Sequence, residues 1–173
     1  MVVDDERVGP SIGRPVDVDA CRLLVADVLA HEGLGGRDLE VHVHVVDEEV
    51  MTALNVEHME GSGPTDVLSF PVEDPAELAL ASTAASTDAS TAASLSAVPL
   101  LLGDIVLCPA AADRQAADHT GDFDTEIALL LVHGVLHLLG HDHAEPDEEA
   151  VMRERERLHL TRQANVDPRK VRP

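Results

Sequence analysis

Between Thr125 and Gly140 the chain reads TEIALLLVHGVLHLLG, a segment whose apolar residues occupy almost the whole helical circumference. A surface helix shows one apolar stripe, whereas a helix apolar nearly all round has to lie inside a core. The segment is therefore predicted to be a central buried helix. Asp124 and Thr125 are its candidate caps, and Gly140 ends it in the left-handed conformation. His133 and His137 lie four positions apart on it, so their rings leave one face. Gly140 lets the backbone turn sharply, and His143, three residues on, can fold back toward the first two.

Buried imidazoles need partners. One histidine in an apolar helix is ordinarily a satisfied core residue. Three of them, with a glycine where the helix must break, are better satisfied together by a metal ion. Three neutral imidazoles with an open fourth position form the donor set of a catalytic zinc. Such an ion brings the pKa of a water toward about 7 and polarises a carbonyl or phosphoryl oxygen. His141 is a second-choice ligand, and Asp142 is a candidate partner or base. The spacing HxxxHxxGxxH is also that of metzincin peptidases. Gly134, however, stands where those enzymes carry their glutamate base, which disfavours a peptidase.

The rest of the chain alternates strand and helix signals. Residues 1–15 give at most one short strand. VDVDACRLLVADVLAHE predicts a helix with Ala20, Leu23, Leu24 and Val28 inward, Asp17 and Asp19 as candidate caps, and Gly33 as its stop. LEVHVHVV alternates in period two, a half-buried strand with Glu40, His42 and His44 on its wetter face. Asp47 caps a helix running to about Met59. Pro71 confines the next strand, within TDVLSFPVE, to a sheet edge or strand end. GDIVLCP, residues 103–109, is a further strand, followed by a helix with Pro109 near its first position. Pro146 to about Gln163 is a charged helix. This interleaving predicts an α/β (α+β) fold, a small mixed sheet covered by helices. One hydrolase domain is expected over residues 1–163, with a flexible Ala/Ser/Thr-rich insertion at about 74–100 and a loose tail at 164–173.

Composition removes several function classes. The net charge of −21 argues against binding nucleic acid by bulk attraction. Phe70 and Phe123 are the sole aromatic rings of Phe, Tyr or Trp type, too few for a base-stacking platform. The opening MVVDDERVGP has no apolar run with a basic flank, so a secretory signal or membrane anchor is not expected. Cys21 and Cys108 make neither a disulfide framework nor a CxxC pair, which suits a cytoplasmic protein.

With these residues in place, the chain resembles the YbeY-type endoribonucleases, the bacterial rRNA maturation factors. HGVLHLLGHDH matches their H-G-x-L-H-L-x-G-x-D-H signature. LNVEHMEGSGPTDVLSFP looks like their upstream block, and LGDIVLCP like their G-D-I strand. The likeness runs in order over most of residues 39–160. It implies a metal-dependent, single-strand-directed endoribonuclease in small-subunit rRNA 3′ end maturation and ribosome quality control. His133, His137 and His143 would hold one Zn2+. Thr65, Asp66 and Asp142 are the candidate catalytic residues, with strand initiation as the alternative role of the first two. The implied partners are rRNA, the small ribosomal subunit and a ribosomal or assembly-factor protein; no DNA or membrane is expected. Two departures stand out: Met59 occupies a position where many family members carry arginine, and the Ala/Ser/Thr insertion is longer than the family needs.

Positive charge is scarce around the histidines. From Asp38 to Met152 only Arg114 is basic, whereas seven of the twelve basic residues lie between Arg153 and Arg172. Arg153, Arg155 and Arg157 alternate with Glu154 and Glu156, which reads as a salt-bridged solvent face. RNA binding by the isolated chain is therefore expected to be weak and salt-sensitive. Two competing readings are a non-catalytic assembly factor with a structural metal and a metal hydrolase acting on another substrate.

Overall fold

The computed structural model describes residues 2–7, 13–72 and 99–162. Within them the elements run β1 (Val2–Asp5), α1 (Val18–Leu29), β2 (Leu39–Val45), α2 (Glu48–Met59), β3 (Val67–Pro71), β4 (Leu100–Leu107), α3 (Pro109–Ala116), α4 (Phe123–Leu138) and α5 (Pro146–Arg162). The four strands form one mixed sheet in the order β1-β2-β4-β3. β1, β2 and β4 are parallel, and β3 is antiparallel at the edge. Pro71 ends that edge strand, where its missing N–H costs no ladder bond. The fold is α/β, as the interleaved signals predict.

Strand alternation sends side chains to two cores. Val41, Val43, Val45, Ile105 and Leu107 face one side, where α4 and α1 cover them. Val46, Leu68, Val106 and Cys108 face the other and meet Met51 of α2 in a smaller cluster. α4 is the centre of the larger core. Its Phe123, Ile127, Leu130, Leu131, Val132, Val135, Leu136 and Leu138 are all buried, each apolar side chain contributing about 1.5–3 kcal/mol. α5 packs on the outer side of α4.

Three boundaries and one face differ from expectation. The cap of α4 is Asp122, whose carboxylate accepts from Thr125 N at 3.0 Å and Thr125 Oγ1 at 2.6 Å. Starting at 123 brings Phe123 into the first turn, where its ring is buried. On α1 the inward stripe is Cys21, Leu24, Val25 and Val28, a regular i, i+3, i+4, i+7 set, while Leu23 is 72% exposed. Asp17 is its cap, accepting from Ala20 N. The chain then passes through a wider π turn, Ala30–Leu34, in which Gly33 takes φ +83°. β4 begins at Leu100, three residues before the predicted start, because Leu39 at the head of β2 pairs with it.

Residues 73–98 and 163–173 lie outside the described residues, and with them most of the expected insertion and the tail. Both cysteines are free and buried, one in each core, and burial pushes the Cys21 thiol up to about 11. No helix among the described residues is long and apolar enough to cross a membrane.

Candidate metal centre

His133 and His137 leave the same face of the last two turns of α4. The helix ends where Gly140 takes φ +86°, a conformation that a side chain would strain. The chain reverses there, and His143 comes back over the two helical rings. One ring nitrogen of each histidine lies within 4.8 Å of those of the other two. Nε2 of His133 and of His137 are 3.1 Å apart, and the ring centroids are separated by 4.5–5.3 Å.

The opposite edges of two rings are held. Nδ1 of His133 meets the Glu156 carboxylate of α5 at 2.7 Å, and Nδ1 of His137 meets the His141 carbonyl at 2.9 Å. Acceptors at Nδ1 put the proton there and leave the Nε2 lone pairs pointing at the common centre. This is the orientation that metal-ligating imidazoles take from their outer partners. Burial above all, with the neighbouring His133 and His143, holds the His137 pKa below its ordinary value, which favours the neutral ring. The three side chains therefore fit a divalent transition metal in both donor type and orientation.

A cleft of about 300 Å³ opens beside them, lined by His133, His143, Asp66, Glu126, Arg153 and Glu156 among others. Asp66 thus reaches the cleft, and it also starts β3 by accepting from Val67 N at 2.8 Å. Thr65 donates to Asp66 Oδ1 at 3.0 Å and is not part of the cleft lining. Asp142 accepts from His143 N at 2.7 Å and lines a separate depression with Gly140, His141 and Val151. The His141 ring stands outside the cluster, its Nε2 3.9 Å from Glu32. Met59, at the end of α2, is 51% exposed and contributes nothing to the cleft lining.

The alternating charges of α5 divide between two environments. Glu154 pairs with Arg157 on an exposed face. Arg155 pairs with Glu32, and Arg153 pairs with Glu149 while lining the cleft. Glu156 leaves the solvated set altogether to hold His133. Sequence reasoning missed this partner; its one signal was a glutamate three residues after Arg153 on the helix that covers the histidines. Gly134 also acquires a reason. A Cβ there would stand 3.0 Å from Ile105 Cγ2 and 3.1 Å from Ser69 Oγ, so any side chain at 134 meets the sheet in tight contact.

The sequence model of the family described as endoribonuclease YbeY matches residues 14–164. Among curated relatives, the endoribonuclease YbeY of Frankia casuarinae is 45% identical over 79% of this chain and 63% of its own length. That of Salinispora tropica is 43% identical over 81% of this chain and 83% of its own. That of Mycolicibacterium smegmatis is 37% identical over 83% and 72%. The chain thus spans somewhat under two thirds of the Frankia casuarinae protein. A Thermotoga maritima protein solved in solution superposes with a TM-score of 0.49 at 22% identity, over 91% of this chain and 84% of that one. On the family match and on relatives such as that of Salinispora tropica, this chain belongs to the endoribonuclease YbeY family.

Proposed function

We propose that this chain is a zinc-dependent endoribonuclease that cuts single-stranded RNA, acting in the cytoplasm in small-subunit rRNA 3′ end maturation and ribosome quality control. The observation that carries the reading is the convergence of His133, His137 and His143 beside a cleft, with two of the rings fixed from behind by Glu156 and the His141 carbonyl. The curated relatives named endoribonuclease YbeY supply the substrate class.

Bound by the three imidazoles, zinc supplies Lewis acidity, acidifying a water and polarising a phosphoryl oxygen. The protein's own groups do the rest. Glu156 and the His141 carbonyl keep the rings in the ligating tautomer. Arg153 brings a guanidinium to the cleft wall, where a strand's phosphate can compete for it with Glu149. Asp66, at the cleft, is the best-placed of the three candidate carboxylate and hydroxyl groups to receive a proton. With one arginine there and a chain charge of −21, targeting falls to a ribosomal or assembly-factor protein.

The structural-metal reading requires a fourth protein ligand. Its two candidates are engaged elsewhere: His141 through its carbonyl and toward Glu32, Asp142 at the His143 amide. A peptidase needs a base where Gly134 is packed against Ile105.

The test is cleavage of a single-stranded RNA by wild type and by His137→Ala, with metal content measured on both. Loss of cleavage by at least about 100-fold, together with loss of the metal held at this cluster, is expected. Cleavage that persists in the variant would place the activity elsewhere.

A further inference from the structure

β2 presents Glu40, His42 and His44 on the sheet face away from α4, because Val41, Val43 and Val45 take the face toward it. On the neighbouring strand β4, Asp104 stands opposite His42 in the parallel register. The Asp104 Oδ1 atom lies 3.1 Å from His44 Nε2 and 3.6 Å from His42 Nδ1. The other edge of each ring meets a different carboxylate. His44 Nδ1 is 2.6 Å from Glu6, just beyond β1, and His42 Nε2 is 3.2 Å from Glu40.

We propose that His42, His44 and Asp104 form a second cation site, for a divalent transition metal, on the sheet face opposite the cluster of His133, His137 and His143. One atom from each of the three residues lies within 4.8 Å of the others. Tetrahedral zinc, with bonds of about 2.0–2.1 Å to nitrogen or oxygen, places its ligand atoms about 3.3 Å apart. The two separations from Asp104 straddle that value. Glu6 and Glu40 occupy the outer positions that orient ligating imidazoles and raise their basicity. Two imidazoles and one carboxylate suit zinc, cobalt or nickel better than calcium or magnesium, which take oxygen donors. The three side chains are about two-thirds buried, so a cation can reach them from solvent without unfolding. A metal there joins β2 to β4 and stabilises the folded chain by mass action. None of these residues touches the site on α4, so the proposal stands apart from the assignment of that site.

Zinc titration of the full chain by calorimetry is the test, with imidazole nitrogen NMR as the second reading. Wild type is expected to take up two equivalents, and the paired substitution His44→Ala with Asp104→Asn one. During the titration of wild type, the His42 and His44 ring signals are expected to shift separately from those of His133, His137 and His143. Cobalt added in place of zinc is expected to give ligand-field absorption that the paired substitution weakens. The NMR reading uses unaltered protein, so a misfolded variant cannot decide the matter. Zinc uptake by wild type that leaves the His42 and His44 signals unmoved, or moves them only at large molar excess of zinc, would overturn the proposal, whatever the stoichiometry at the cluster on α4.

Discussion

Glu156 accepts from His133 Nδ1 at 2.7 Å across the packing of α5 on α4, so a residue of the last helix fixes a ring of the central one. The contact predicts that Glu156→Gln lowers affinity for metal at the histidine cluster by about 10–100-fold while leaving the fold intact. Competition with a chromogenic chelator measures the affinity, and far-UV circular dichroism checks the fold. An unchanged affinity would reduce Glu156 to a packing residue.

Gly134 sets how closely α4 can approach the sheet. Adding a branched side chain there, in Gly134→Val, should cost about 1–3 kcal/mol through overpacking against Ile105 and Ser69. Gly134→Ala should cost less, because the gain in helix propensity of up to about 1 kcal/mol offsets a lighter clash. Urea denaturation midpoints order the three proteins.

Arg153 and Arg157 separate cleft from surface. Arg153→Ala should weaken single-stranded RNA binding and reduce the slope of log affinity against log salt by about 0.7, one phosphate's worth. Arg157→Ala, which breaks an exposed pair with Glu154, should leave both unchanged. Fluorescence anisotropy over a salt series distinguishes them.

Glu32 links the end of α1 to α5 through His159 at 2.8 Å and through Arg155. Burial acts to raise its pKa, but the hydrogen bonds from His159 and Arg155 outweigh it and leave the pKa below the ordinary 4.5. A depressed folded value stabilises the native state above the unfolded pKa, and that stability is lost as pH falls through the folded value. Glu32→Gln should therefore cost about 1–2 kcal/mol near neutral pH, the scale of charge-assisted hydrogen bonds. The gap to wild type should close below pH 4.5. Thermal unfolding of both proteins across that range is the measurement.

What could be read from the sequence was what local spacing encodes. The i, i+4 pair of His133 and His137, the break at Gly140, the Asp47 cap and the edge position of Pro71 each follow from nearest neighbours along the chain. The inward face of α1 misled because Leu23 and Cys21 are both apolar, and only packing against α4 selects the stripe containing Cys21. The α4 cap misled because Asp122, Asp124 and Thr125 can all accept a backbone N–H; burial of Phe123 decides among them. Glu156 at His133, and Asp104 between His42 and His44, are tertiary pairings with no local signature.

The most direct test of the metal-centred account is single-turnover cleavage of single-stranded RNA by wild type stripped with a chelator and then reloaded with zinc. The stripped chain should be inactive, and cleavage should return as zinc is restored to His133, His137 and His143. Undiminished cleavage by the metal-free, folded chain would contradict it.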